Sequence, residues 1–242
     1  MIKISASIVI YNEQKEVLKR AINSFFNLDF EKELLIVDNY PDSVLELFCK
    51  NFKNIKYILS KENIGFGSGH NLAFKNKTID SDIHIIINPD TYFKKEQLEG
   101  FIEWFYEEKD VSLAVPSILN PDGSLQSVVR NIPTPLSLVK RKLSIDLDEI
   151  AVEKNTIKEI PFAHGCFMVF ETEVLKNIKG FDERFFMYME DVDIFIRAKQ
   201  YGLTVMNSNF SVYHEYRKGS SKNLKLLWWH IISAVKFFIK YK

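Results

Sequence analysis

Apolar residues fall along this chain in two alternating spacings. Residues 4–11, 34–37, 55–59 and 85–87 are short, largely β-branched runs of the kind found in strands buried on both faces. Between them, Val17, Leu18, Ala21, Ile22, Phe25 and Phe26, and then Val44, Leu45, Leu47, Phe48 and Phe52, recur at helical spacing. A glycine-rich turn over residues 63–71 leads into a short helix ending near Phe74. Phe101, Ile102, Trp104 and Phe105 mark a further helix, and residues 111–115 a further strand. This alternation predicts an α/β domain with a mostly parallel sheet flanked by helices.

The early strands stop on polar residues: Tyr11-Asn12, Asp38-Asn39, and Asn88-Pro89-Asp90, where the proline cannot continue a ladder. Strand–helix–strand connections bring those ends to one edge, which is where open α/β sheets bind ligands. A carboxylate fixed there, such as Asp90, can hold a hard divalent cation against a phosphate, although Asn-Pro-Asp is also good turn chemistry. Asp38 can accept hydrogen bonds from a base or sugar, and the glycines let backbone N–H groups approach an anion. A nucleotide suits these features. The Gly-x-Gly-x-Gly spacing departs from the dinucleotide fingerprint, and the Walker pattern of an ATP-hydrolysing motor is missing.

Beyond residue 115 the pattern loosens. Asn120-Pro121-Asp122-Gly123 is a turn, residues 124–130 suggest a short strand, and residues 140–158 lack a clear period, as a variable excursion would. Residues 162–170 predict a strand and 171–178 a short helix stopped by Gly180. An aromatic stretch then ends in Glu190-Asp191 at the start of a helix, where acidic residues also complement the dipole. Residues 204–206 and 210–213 suggest two short strands, the second ending on His214. Arg217, Lys218 and Ser220 form a basic turn able to close over phosphates. Residues 224–241 combine Trp228 and Trp229 with Lys225, Lys236 and Lys240: too short and charged to span a bilayer, suited to lie on its surface or to pack on the core.

Composition narrows the partners. With 46% hydrophobic and 14% aromatic residues, the 242-residue chain can bury a full core. Thirty-two basic residues balance thirty-two acidic ones, so no global field draws nucleic acid. Cys49 and Cys166 show no metal-ligand spacing, and the first residues lack a signal-peptide pattern. A cytoplasmic protein, peripheral at the inner membrane face, is expected, and a homo-oligomer stays open.

Tyr11-Asn12, Val37-Asp38-Asn39, the set Asn63, Gly65, Gly69 and Asn71, Asn88-Pro89-Asp90, and the run from Phe181 through Glu190-Asp191 to Asp193 occur here in a particular order. In that order they resemble the motifs of family 2 glycosyltransferases, inverting enzymes of the GT-A fold. The Asn-Pro-Asp and Gly-Phe-Gly forms look most like the bacterial rhamnosyltransferase branch. The resemblance implies a GT-A domain over residues 1–217, with a nucleotide-binding half (1–115) and an acceptor and catalytic half (116–217), followed by the basic turn and amphipathic helix of 218–242. It implies donor contacts at Tyr11, Asn12, Asp38, Asn63, Gly65, Gly69, Asn71 and Asn88. It places a divalent cation, Mg²⁺ or Mn²⁺, at Asp90 with His214, acceptor contacts at His164, Gly165 and Glu190, and the catalytic base at Asp191. Asn88 stands where the family's Asp-x-Asp motif has its first aspartate, which lowers the charge at the metal. The implied reaction moves a sugar, L-rhamnose from dTDP-rhamnose, to a lipid-linked or polymeric saccharide in bacterial surface polysaccharide synthesis. Two rivals stay open: a sugar nucleotidyltransferase, whose basic glycine-rich signature is missing at residues 11–14, and a non-catalytic nucleotide- or saccharide-binding partner of the same fold.

Overall fold

The structure, a computed structural model, describes residues 1–142, 148–215 and 224–242. In chain order the first half comprises β1 (Lys3–Ile10), α1 (Lys15–Phe26), β2 (Glu31–Asp38), α2 (Glu46–Cys49), β3 (Ile55–Leu59), α3 (Phe66–Lys75), β4 (Ile83–Ile87), β5 (Thr91–Tyr92), α4 (Lys95–Glu107) and β6 (Val111–Leu119). The second comprises β7 (Val129–Arg130), α5 (Pro135–Lys142), β8 (Ile157–Glu159), β9 (Phe162–Ala163), β10 (Phe167–Glu171), α6 (Thr172–Asn177), α7 (Glu190–Ala198), β11 (Leu203–His214) and α8 (Leu224–Lys240).

The main sheet runs β3-β2-β1-β4-β10-β6-β11-β5, with β8 alongside β11. β3, β2, β1 and β4 are mutually parallel, β10 enters antiparallel between β4 and β6, and β6 and β11 are again parallel. Register aligns Ile10 with Asp38, and Ile8 with Ile87, so the polar ends of β1, β2 and β4 share one edge. Alternate side chains serve the two faces of the sheet. Ile4, Ile8, Ile10 and Ile36 pack in the core with Leu18, Ile22 and Phe25 of α1 and with Phe101, Ile102 and Phe105 of α4, while Leu35, Val37 and Ala73 of α3 form a second cluster.

A polar thread crosses this interior. Ser5 Oγ lies 2.8 Å from Ser81 Oγ and 2.7 Å from His84 Nδ1. Ser7 Oγ joins His84 Nε2 at 3.0 Å to His70 Nδ1 at 2.7 Å. Both imidazoles are fully buried. Burial first, then Lys77, pushes His84 down to about 3, and burial with His84 as neighbour pushes His70 well below the ordinary histidine range.

Several elements differ from what periodicity predicts. The helix expected over Val44–Phe52 is a single turn, with Val44 and Leu47 84% and 77% exposed, because the edge of β2 and β3 needs only Leu45, Phe48, Cys49 and Phe52 to cover it. The strand expected over 162–170 breaks at His164-Gly165, which sends β9 to pair with β7 and β10 into the main sheet. Residues 203–214 form one bulged strand rather than two, shifting register between Asn207 and Ser211, where Asn207 Oδ1 accepts from Asn209 N. The expected strand over 124–130 shortens to Val129–Arg130. The glycine turn is mostly helix: α3 already begins at Phe66. The basic lid expected at Arg217, Lys218 and Ser220, and the domain boundary at 217/218, lie outside the described residues.

Candidate active site

The turn Asn88-Pro89-Asp90 is closed by Thr91 N donating to Asn88 O, and β5 then pairs with the far end of β11, setting Thr91 opposite His214. Two residues more than a hundred positions apart are thereby brought together. Gln126 Nε2 donates to Asn120 Oδ1 at 2.8 Å and to His214 O at 2.6 Å, so its Oε1 is the acceptor facing His214 Nδ1 at 3.0 Å. Nδ1 is therefore placed to donate to Gln126, and Nε2 faces Asp90 Oδ1, 3.3 Å away. That carboxylate oxygen is buried with no hydrogen-bond donor. An imidazole nitrogen and a carboxylate oxygen at this distance are held together by a proton on Nε2 or, in its place, by a shared cation. One carboxylate and one imidazole fit a divalent ion that takes its remaining oxygen ligands from a diphosphate and water. Among the described residues no cluster of three or more His, Cys, Asp or Glu side chains forms a cage without substrate.

His214 of this pair and the start of α7 line one cavity of about 360 Å³. Asn88, His164, Gly165, Cys166, Glu190, Asp191 and His214 all line it. The break between β9 and β10 lays Gly165 against Asp191: a Cβ on Gly165 would stand 3.5 Å from the Asp191 Cβ, ordinary contact distance. Cys166 lies near both acidic groups. Burial pushes its thiol up to about 12, helped by Asp90 and, less, by Asp191, so it stays protonated. Glu190 is buried with Oε2 unpartnered, and burial followed by the adjacent Asp191 raises it, which favours its protonated form. His164 Nε2 accepts from Arg130 Nε at 3.2 Å on the same wall.

The residues expected to hold a donor divide. Tyr11 stands 55% exposed beside Tyr40, and Asn12 takes a left-handed φ of 52° at the same sheet edge. Asp38 does not present a free carboxylate there: it is fully buried, Oδ1 accepting from Tyr40 N at 2.9 Å and Oδ2 from Tyr57 OH at 2.6 Å. These bonds brace the turn after β2. Asn63 Oδ1 accepts from Gly65 N, an Asx turn that sets up α3. Gly65 has φ +88°, and a Cβ there would fall 2.3 Å from Phe186 O. Gly69 abuts Val9 of β1. Asn71 ties down the far loop, donating to Phe181 O at 2.9 Å and accepting from Phe181 N at 2.8 Å. Gly65 and Asn71 thus dock the 181–190 loop against α3, Gly69 seats α3 on β1, and none of the three lines the cavity.

Gln126 and Arg130 were not singled out by sequence. Neither lies in a motif, and only their neighbours in space give them a role.

Residues 5–179 match the family described as Glycosyl transferase family 2. The chain is 26% identical over 201 residues to the low-salt glycan biosynthesis hexosyltransferase Agl10 of Haloferax volcanii, covering 82% of this chain and 63% of that protein. It is 22% identical to the rhamnosyltransferase WbbL of Escherichia coli, covering 96% and 92%. It is also 22% identical to the N-acetylglucosaminyl-diphospho-decaprenol L-rhamnosyltransferase of Mycobacterium tuberculosis, covering 75% and 66%. Among solved structures, GalNAc-T7 with UDP, GalNAc and Mn²⁺ superposes with a TM-score of 0.71 at 15% identity, over 92% of this chain and 45% of that one. S. aureus TarS 1-349 in complex with UDP gives 0.64 at 19% identity, over 97% and 65%. The chain therefore spans less than two thirds of the Haloferax protein and under half of GalNAc-T7.

Proposed function

Because this chain belongs to glycosyl transferase family 2 and has the GT-A fold, we propose that it transfers a sugar with inversion from a nucleotide-diphosphate donor to a saccharide hydroxyl. The observation that carries the proposal is that Asp191 and His214 line one cavity, with Asp90 Oδ1 3.3 Å behind His214 Nε2. Asp90 and His214 would hold Mg²⁺ or Mn²⁺, which supplies positive charge to the departing diphosphate. Tyr11 and Asn12 border the edge where a base and ribose would sit, with Asn88 nearer the diphosphate. The acceptor hydroxyl enters between His164, Gly165 and Glu190. Asp191 takes its proton as the oxygen bonds to the anomeric carbon and the bond to the diphosphate breaks on the opposite side. Gly165 leaves room for this beside Asp191, and protonated Glu190 can donate a hydrogen bond to the acceptor.

The relatives in Escherichia coli and Mycobacterium tuberculosis that are named rhamnosyltransferases support dTDP-L-rhamnose as the donor and a lipid-linked or polymeric saccharide as the acceptor. No helix among the described residues is long and apolar enough to cross a membrane. The exposed Trp228, Ile231, Val235 and Ile239 of α8, spaced along one side of a helix with lysines and no acidic residue, suit contact with an anionic membrane surface.

Release of free nucleoside diphosphate from a panel of nucleotide sugars, with and without Mn²⁺, tests the reaction. Wild type should turn over dTDP-rhamnose fastest, and Asp191→Asn should lower kcat by about 10³-fold, within the range for removing a general base. Turnover unaffected by that change would remove Asp191 from its role, and no turnover with any donor would favour a binding partner without catalysis.

A further inference from the structure

Residues 181–189 form no regular element, yet they deliver Glu190 and Asp191 to the cavity. The last two residues before α7, Tyr188 and Met189, have φ values of 69° and 65°. Consecutive left-handed residues with large side chains are unfavourable and persist only where neighbours over-determine them. Part of that restraint comes from α3, where Phe66 N donates to Phe186 O. Much of the rest comes from the far end of the chain.

α8 reaches this loop along most of its length. Ser233 Oγ donates to Met187 O at 2.8 Å, and Lys236 Nζ to Arg184 O at 2.6 Å. Trp229 packs on Phe186 and His230 on Tyr188, with ring centroids 4.5 and 5.0 Å apart. At its end, Lys240 Nζ bridges Asp182 Oδ2, 2.7 Å away, and Asp193 Oδ1, while Tyr241 OH donates to the same Asp193 oxygen at 2.8 Å. Asp193 is fully buried on the first turn of α7, and its other oxygen accepts from Arg197 Nε at 2.8 Å. Lys240 therefore joins the start of the loop, at Asp182, to the helix that begins with Glu190 and Asp191, and Tyr241 adds a second tie to that helix. His230 of the same helix lines the cavity.

From this geometry we infer that α8 is a positioning element of the active site: Ser233, Lys240 and Tyr241 hold the left-handed Tyr188–Met189 corner, and through it the carboxylate of Asp191, in register with the cavity. The inference rests on Asp191 acting as the base. A fixed base matters because proton transfer to it requires hydrogen-bond reach of the acceptor hydroxyl, and a displacement of about 1 Å can cost roughly 10²-fold in rate. Donor binding at the β1, β2 and β4 edge does not pass through α8, so the effect should fall on kcat.

The test uses the full chain carrying Lys240→Gln with Tyr241→Phe, and separately Ser233→Ala. Expected for the double variant are a kcat at least tenfold below wild type, an unchanged KM for the donor, and at least tenfold faster amide hydrogen exchange over residues 187–192, with β1 and β4 amides unaffected. Lys240→Arg should restore most of the rate. Unchanged exchange over residues 187–192 would overturn the inference, as would a fall in kcat matched by equal loss of donor affinity and of protection throughout the sheet. The exchange measurement needs no substrate, so it judges the clamp even if no sugar donor is turned over, an outcome that would count against the transferase reading instead.

Discussion

Acidification should expose the cost of keeping His70 and His84 uncharged. Both rings are buried in the Ser81–Ser5–His84–Ser7–His70 thread, and both titrate below the ordinary value of 6.5, His84 at about 3. An unfolded histidine gains its proton near pH 6.5 and these do not, so the unfolded state binds more protons below that pH and stability falls as pH drops. Each pH unit below 6.5 costs about 1.4 kcal/mol per ring, so about 2 kcal/mol each at pH 5, and about 4 for the two. With a urea m-value of about 3 kcal/mol/M, that is a midpoint shift of roughly 1.3 M. Glu190 opposes it: its folded value is raised, so its contribution grows as pH falls. The diagnostic quantity is therefore a difference, the change in urea midpoint between pH 7.5 and 5.0 in wild type minus that in the His70→Gln, His84→Gln double variant, in which Glu190 is retained. Each single variant should remove about half of it. A difference under about 0.3 M, about 1 kcal/mol at that m-value, would mean that the rings are not held neutral, and the linkage reasoning fails.

Two further outcomes test the site's scaffolding. Gly65→Ala places a methyl 2.3 Å from Phe186 O at a φ of +88°, so unfolding should occur at least roughly 4–8 °C lower, for a strain of about 2 kcal/mol in a chain of this size. An unchanged thermal midpoint would show that the 181–190 loop is not pressed on α3. Gln126→Leu removes the acceptor that fixes the His214 tautomer, and Mn²⁺ affinity measured by calorimetry with nucleoside diphosphate present should fall about 10- to 100-fold. Unaltered Mn²⁺ affinity would take His214 out of the cation site.

Much of the fold was legible because sheet burial writes itself into composition. A strand covered on both faces must be apolar throughout, so β1, β2 and β4 stand out as Ile- and Val-rich runs, and their abrupt polar ends mark the sheet edge. The helices α1 and α4 were legible from one-sided apolar spacing. The irregular parts were harder. Breaking residues 162–170 at His164-Gly165, or bulging β11 at Asn207, depends on which strand is available to pair, and local sequence does not carry that information. Likewise Gly69 and Asn71 were conspicuous as a motif, but whether such residues touch a ligand or another loop is settled by what packs on them, here Val9 and Phe181.

The sequence alone determined the α/β layering and the edge of the sheet that carries the polar residues, Asp90 among them, since periodicity and strand ends are local properties of the chain; Asp191 was pointed to by the family resemblance. The tertiary structure decided what surrounds those groups: His214 and Gln126 beside Asp90, Gly165 against Asp191, and α8 on the loop before it. Such pairings join residues far apart in the chain, so their energies exist only after the whole sheet has closed.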